Sequence, residues 1–186
     1  MLGNTGVPIL SEEGREIPYE ERNRWDRFWL VDPLDGTKEF IKRNGEFTVN
    51  IAWIEDTLPV LGVIYVPEKG VMYFAEESLG AYRLDAYSPD LNSERILSRA
   101  EKLPLDMPKG KYTVVASRSH LSAETQAFID GLREKHGEVQ TVSKGSSLKI
   151  CMVAEGRADI YPRFGPTMEW DTAAGHAIAK YAGARI

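Results

Sequence analysis

The 186-residue sequence predicts an α/β protein of two layers: an antiparallel sheet over residues 1–108, then a mainly parallel α/β layer over residues 109–186, joined in one compact unit. Three observations carry this. Residues 44–84 hold four short β-prone runs cut by turn residues. From residue 112 onward, strand-like and helix-like runs alternate, the rhythm of strands joined by crossover helices. Between residues 29 and 40, WLVDPLDGTKEF, an apolar run meets two carboxylates and then opens a helix.

Taken in order, residues 9–14 (ILSEEG) are a short apolar run ending in paired acids, and Arg15 to Arg27 is polar with little periodicity, a surface loop. On local sequence alone, Glu12 and Glu13 read as a solvated turn. Trp29-Leu30-Val31 fits a buried strand. Pro33 keeps Asp32 out of helical geometry, so Asp32 is placed at the strand end. Lys38 to Lys42 then starts a helix. Phe47, Val49, Ile51 and Trp53 alternate along one strand face, and Glu55-Asp56-Thr57 turns the chain. Strands follow at 59–66, 71–75 and 80–84, a meander. Ser88 to Pro108, with three prolines, reads as a connection carrying at most one short strand. The second layer holds a strand at 112–116 and a helix up to His136, capped by Ser122, stopped at Gly137 and marked by Ala123, Ala127, Phe128 and Leu132. Further on come a strand at 139–142, a helix at 147–154, a buried strand at 158–161 and a helix at 170–181 with Ala173, Ala174 and Ala177 on one side.

Composition narrows the function. A net charge of −5 without a basic run argues against a nucleic-acid surface, though not against a small nucleotide in a local basic pocket. The single cysteine, Cys151, excludes an internal disulfide, sits in the apolar run ICMVA and reads as core packing in a reducing, cytoplasmic setting. No apolar stretch approaches the ~20 residues of a membrane span, and the first residues lack the pattern of a signal peptide.

The chemistry concentrates on carboxylates. Asp32 and Asp35 flank Pro33, and free N–H groups at the following helix start face the same turn, which suits a divalent cation beside a phosphate. Glu12 and Asp171 complete the set of candidate metal ligands. Asp171 opens the helix in EWDTAAG, and a capping role alone would account for it.

DPLDGT at 32–37, WDTAAG at 170–175 and SEE at 11–13, in that family's order and rough spacing, together resemble the lithium-sensitive, magnesium-dependent phosphatases of the inositol monophosphatase family. Within it, TKEFIKRNGEFTVNIA at 37–52, SRSH at 117–120 and GSSLKICMVAEGRADIYPRFGPT at 145–167 look most like its bacterial 3′(2′),5′-bisphosphate nucleotidases. The resemblance implies a sugar-phosphatase-like αβαβα sandwich and two or three Mg2+ ions. It implies that Glu12, Asp32 and the Leu34 carbonyl hold one ion, and that Asp32, Asp35 and Asp171 hold another. Glu12 and Thr37 would activate water, with Asp35 among the catalytic residues, and the N–H groups of Gly36 and Thr37 would bind the reacting phosphate. Ser146, Lys149 and Arg163 would hold the second phosphate, Asp171 and His120 would also face the substrate, and His136 and His176 would be structural.

The resemblance also marks departures. Members of the family carry some fifty or more residues ahead of the SEE block, forming a helical pair on the first sheet and supplying an aspartate that bonds the catalytic threonine, and they continue past Ile186 into a final strand. The expectation is therefore an internal fragment that covers its bare sheet face by self-association or is marginally stable, and that turns over slowly. The implied reaction is hydrolysis of the 3′-phosphate of adenosine 3′,5′-bisphosphate to AMP and phosphate. The alternatives are inositol monophosphate hydrolysis and, in another class, an inactive metal- or nucleotide-binding domain.

Overall fold

The computed structural model describes residues 6–108, 110–117 and 122–186, so His120 lies outside the described residues. Seven strands form one sheet in chain order: β1 (Ile9–Ser11), β2 (Arg27–Asp35), β3 (Thr48–Glu55), β4 (Leu58–Val66), β5 (Val71–Glu76), β6 (Gly80–Leu84) and β7 (Glu101–Lys102). All neighbours are antiparallel except β1 and β2, which run parallel. The β3–β4 hairpin turns on Asp56 and Thr57, both at positive φ, as a two-residue loop between right-twisted strands requires. The helices are α1 (Tyr19–Arg22), α2 (Thr37–Ile41), α3 (Ser93–Arg99), α4 (Ala123–His136), α5 (Leu148–Ala154) and α6 (Glu169–Tyr181). Strands β8 (Tyr112–Ser117) and β9 (Val139–Lys144) pair in parallel around α4. The meander followed by a parallel α/β layer is thus present.

Helix α6 lies across the first sheet. Its small residues Ala173, Ala174, Ala177 and Ala179 are buried, and Ala173 and Ala174, with Ile178, Leu148, Cys151 and Ala154, meet Leu30, Ala52, Ile54, Ile64 and Ala75 in one core. Small side chains let the helix backbone approach the sheet closely. A second, smaller core joins Val114, Ile129 and Val139 beneath α4.

Several sequence expectations need correction. Arg15 to Arg27 is not all loop, because Tyr19–Arg22 makes one helical turn. The 88–108 connection contains α3, capped by the Asn92 side chain on the Arg95 N–H at 3.0 Å. The prolines there masked this Asn-Ser-Glu helix start. Residues 158–161 form no strand: Ile160 makes an isolated bridge to Val114, and Asp159 is held by the Thr113 backbone. On α4 the buried positions are Thr125 and Ile129, whereas Ala123 and Ala127 are exposed. On β3 the more buried face is Thr48, Asn50, Ala52 and Ile54, the opposite of the bulky Val49, Ile51 and Trp53.

This pattern leaves a broad apolar surface. Trp29, Val31, Val49, Ile51, Trp53, Val63 and Phe74 stay half-buried on the sheet face away from α6. Trp29 and Trp53 meet edge to face across β2 and β3, with centroids 4.8 Å apart.

Candidate active site

Strand β2 does not end at Asp32. It continues to Asp35 through an irregularity: Asp32 pairs with Asn50 and Asp35 with Thr48, so three steps on β2 match two on β3. Residues three apart on a regular strand point to opposite faces. The extra residue turns both carboxylates toward the same side, that of buried Thr48 and Asn50. Pro33, with no N–H to offer the ladder, sits inside this bulge. Gly36 follows at φ 89, a left-handed conformation suited to glycine, and α2 begins at Thr37.

Asp171 reaches the same place from α6. It is the third residue of that helix, and its Oδ2 accepts the Met168 N–H at 3.2 Å, the Thr167 hydroxyl at 2.7 Å and Arg163 Nη2 at 3.2 Å. The capping role is therefore real, yet every one of these bonds falls on Oδ2. Asp32, Asp35 and Asp171 each present one oxygen in a group lying within 4.8 Å of one another. Glu12 falls outside that group of three. It is exposed, its N–H donates to the Val31 carbonyl at 3.1 Å, and its carboxylate still acts on Asp32.

The electrostatics follow from this crowding. Asp32 is 1% exposed, and its carboxyl is pushed up to about 8 by burial, then by Asp35 and also by Glu12. The Leu34 N–H, donating to Asp32 Oδ1 at 2.9 Å, opposes the rise. Hard oxygen donors without imidazole or thiolate are the set that Mg2+ and Ca2+ favour, so the residues fit such an ion.

Beside the acids opens a cavity of about 470 Å3, lined among others by Asp35, Gly36, Ser146, Lys149, Arg163 and Asp171. Lys149 is buried and donates to the Ser146 carbonyl. Burial lowers its amine from the ordinary lysine value, with Asp35 opposing. Ser146 lies outside the helix that carries Lys149. It precedes α5 at φ 44, and its hydroxyl is buried with no hydrogen-bond partner among the described residues. Arg163 is bonded to Asp171 and, at 3.3 Å, to the Tyr161 hydroxyl. Thr37 is exposed at the head of α2. His136 stacks on Tyr112 at 4.0 Å, and neither it nor His176 lines the cavity.

Sequence reasoning missed the residues behind the acids. Asp35 Oδ2 accepts from the Ser147 N–H at 2.6 Å, the Ser147 hydroxyl at 2.7 Å, and Thr48 and Asn50 at 3.3 Å each. Glu46 holds the loop that delivers Ser147, accepting from Lys144 at 3.0 Å and the Gly145 N–H at 2.9 Å. The available signal was two polar residues, Thr48 and Asn50, alternating on a strand otherwise rich in bulky apolar side chains.

Fold and site together define an α/β domain whose sheet bulge and helix start converge three carboxylates on a polar cavity. The chain belongs to the inositol monophosphatase family, whose profile matches residues 4–186. It is 53% identical over 181 residues to the 3′(2′),5′-bisphosphate nucleotidase CysQ of Salmonella typhimurium, a match covering 97% of this chain and 66% of the relative. The chain thus spans about two thirds of the length of such relatives. Among solved structures, CysQ from Bacteroides thetaiotaomicron superposes with a TM-score of 0.92 at 55% identity, over 98% of this chain and 68% of the other. Mycobacterium tuberculosis SuhB gives 0.72 at 28% identity, over 99% and 67%.

Proposed function

We propose that this chain is a Mg2+-dependent phosphomonoester hydrolase that removes the 3′-phosphate of adenosine 3′,5′-bisphosphate to give AMP and phosphate. One observation carries the reading: the three-acid group and a cavity containing a buried lysine, an arginine and an orphaned hydroxyl are contiguous. Its metal end suits a reacting phosphate and its basic end a second one, and relatives about half identical in sequence are bisphosphate nucleotidases by name.

Asp32, Asp35 and Asp171, with Glu12 and the Leu34 carbonyl, would hold two or three Mg2+ ions. When bound, such ions supply Lewis acidity at phosphorus and lower the pKa of coordinated water. The rest belongs to the chain. Glu12 accepts the proton of the attacking water, and the Thr37 hydroxyl orients that water. The N–H groups of Gly36 and Thr37 bind the phosphoryl oxygens. Ser146 and Lys149 receive the distal phosphate, joined by Arg163 once its guanidinium turns from Asp171. His120 is assigned to the nucleoside. Residues 1–108 and 109–186 act in this proposal as two layers of one unit, in the cytoplasm.

The test is phosphate release with Mg2+ from adenosine 3′,5′-bisphosphate against inositol 1-phosphate. The bisphosphate should be strongly preferred, and equal rates would favour the inositol reading. Lys149→Met keeps the side chain's length and removes its charge. A lost charge-assisted bond is worth about 1.5–3 kcal/mol, so KM for the bisphosphate should rise roughly 10–150-fold. The rate on a monophosphate should stay nearly unchanged.

The proposal extends to assembly. The apolar sheet face around Trp29 and Trp53 is wide enough to seek cover, and we assign it to self-association. Sedimentation equilibrium should show a dimer or larger species that Trp53→Lys dissociates. A monomer at tens of micromolar would remove this part.

A further inference from the structure

The bonds around Asp35 are more numerous than holding a loop requires. Its Oδ2 is claimed by two donors of one residue, the Ser147 N–H and hydroxyl at 2.6 and 2.7 Å, and by the longer bonds from Thr48 and Asn50. Asn50 also donates to the Ser147 hydroxyl at 3.0 Å, and that hydroxyl lies 3.1 Å from the Asp171 carbonyl oxygen. Ser147 is 3% exposed and therefore cannot exchange these partners for water. Among the described residues no hydrogen bond falls on Asp35 Oδ1. One oxygen is committed to the protein, and the other is the one available to a ligand.

We infer that Ser147 is a positioning residue for the metal centre, setting the carboxylate plane of Asp35 so that Oδ1 meets a divalent cation. The inference rests on the metal-dependent reading above. Its physical basis is general: partners behind a ligating carboxylate fix its orientation, and their loss typically weakens metal binding 10–100-fold. Ser147 has a further property that a simple hydrogen-bond donor lacks. It stands directly after Ser146 and two residues before Lys149, on a loop strapped down by Glu46 through Lys144 and Gly145. The backbone segment that holds the anion-binding end of the cavity is therefore the one that aims the metal ligand.

The experiment measures Mg2+ affinity by isothermal titration calorimetry, with Mn2+ electron paramagnetic resonance as a second probe. Ser147→Ala removes the 2.7 Å hydroxyl bond along with that hydroxyl's contacts to Asn50 and the Asp171 carbonyl, keeps the N–H, and should weaken Mg2+ binding about 10–100-fold. The melting temperature in chelator should fall by several degrees, because the buried Asn50 amide and Asp171 carbonyl each lose a partner. Ser147→Thr should restore most of the affinity. Thr48→Val, which deletes the 3.3 Å bond to Asp35 together with the 3.0 Å bond to Asn50 Oδ1 but leaves both Ser147 bonds in place, should give a smaller loss and provides the answer if Ser147→Ala does not fold. Wild-type Mg2+ affinity in both Ser147→Ala and Thr48→Val would overturn the role of Ser147 while leaving the metal site standing. A wild-type chain that binds no divalent cation at millimolar concentration would instead remove the metal reading, and this inference with it.

Discussion

Asp32→Asn should lower Mg2+-supported phosphate release by about a thousandfold or more and, at the same time, make the chelator-treated protein more stable at pH 8. The first effect follows from position. Asp32 is the most buried of the converging acids, and the several kcal/mol that such an ion contributes at phosphorus convert at about 1.4 kcal/mol per tenfold. The second follows from charge. Burial, then Asp35 and Glu12, raise the Asp32 carboxyl from 3.8 to about 8, so without metal the folded chain holds a proton there that the unfolded chain releases near pH 4. The stability linked to that proton is fully present below about pH 4 and is lost as pH rises through about 8. Its slope within the window is at most about 1.4 kcal/mol per pH unit. Asparagine cannot ionise, so the variant should lack this component of the slope. Thermal unfolding from pH 4 to 9 in chelator, with and without the substitution, measures it. Parallel profiles would show that Asp32 is not strained by its neighbours.

The same reasoning explains which parts of the molecule were legible in the sequence. Asp32 and Asp35 announced themselves because proline and glycine punctuate a short apolar run, and local chemistry determines local geometry. The bulge that turns both acids to one side was not legible, since it depends on the register against β3. The polar residues Thr48, Asn50 and Ser147 carried little signal by themselves: a threonine or asparagine in a strand reads as the wet face until a buried carboxylate is found opposite. The bulky alternation of Val49, Ile51 and Trp53 showed that they share a face, but not that this face is the less buried one. Where a small-residue helix packs tightly, the buried face needs Ala52 and Gly62, and the large side chains are left on the other surface. The α3 helix was hidden by Pro89 before it and Pro104 after it. Glycine and proline mark where a chain bends, not whether a helix fits between the bends.

Gly62→Ala should prove the most damaging single methyl in the protein, and its effect should reach the active site. Gly62 lies in β4 beneath α6, between Ala52 on β3 and Ala75 on β5. A Cβ there would fall inside the contact distance of the Ala174 carbonyl oxygen and stand 3.0 Å from the Ala177 Cβ. The first clash is with helix backbone, which cannot rotate away as a flexible side chain would. The helix must therefore lift from the sheet, and α6 carries Asp171 in its first turn. Overpacking of this kind costs about 3 kcal/mol at the upper end of its usual range. For a chain of this size that lowers Tm by roughly 6–12 °C. A shift of about 1 Å in a catalytic constellation is enough to lose on the order of a hundredfold in rate. Activity measured well below Tm should accordingly fall even where the variant is fully folded, and Mg2+ affinity should fall with it. Gly131→Ala is the matching control. A Cβ on Gly131 in α4 meets nothing within 4 Å, and replacing a helical glycine by alanine should stabilise by about 0.5–1 kcal/mol without touching the site. If Gly62→Ala melted like the wild type, the close seating of α6 on β4, and with it the delivery of Asp171 to the other acids, would have to be redrawn.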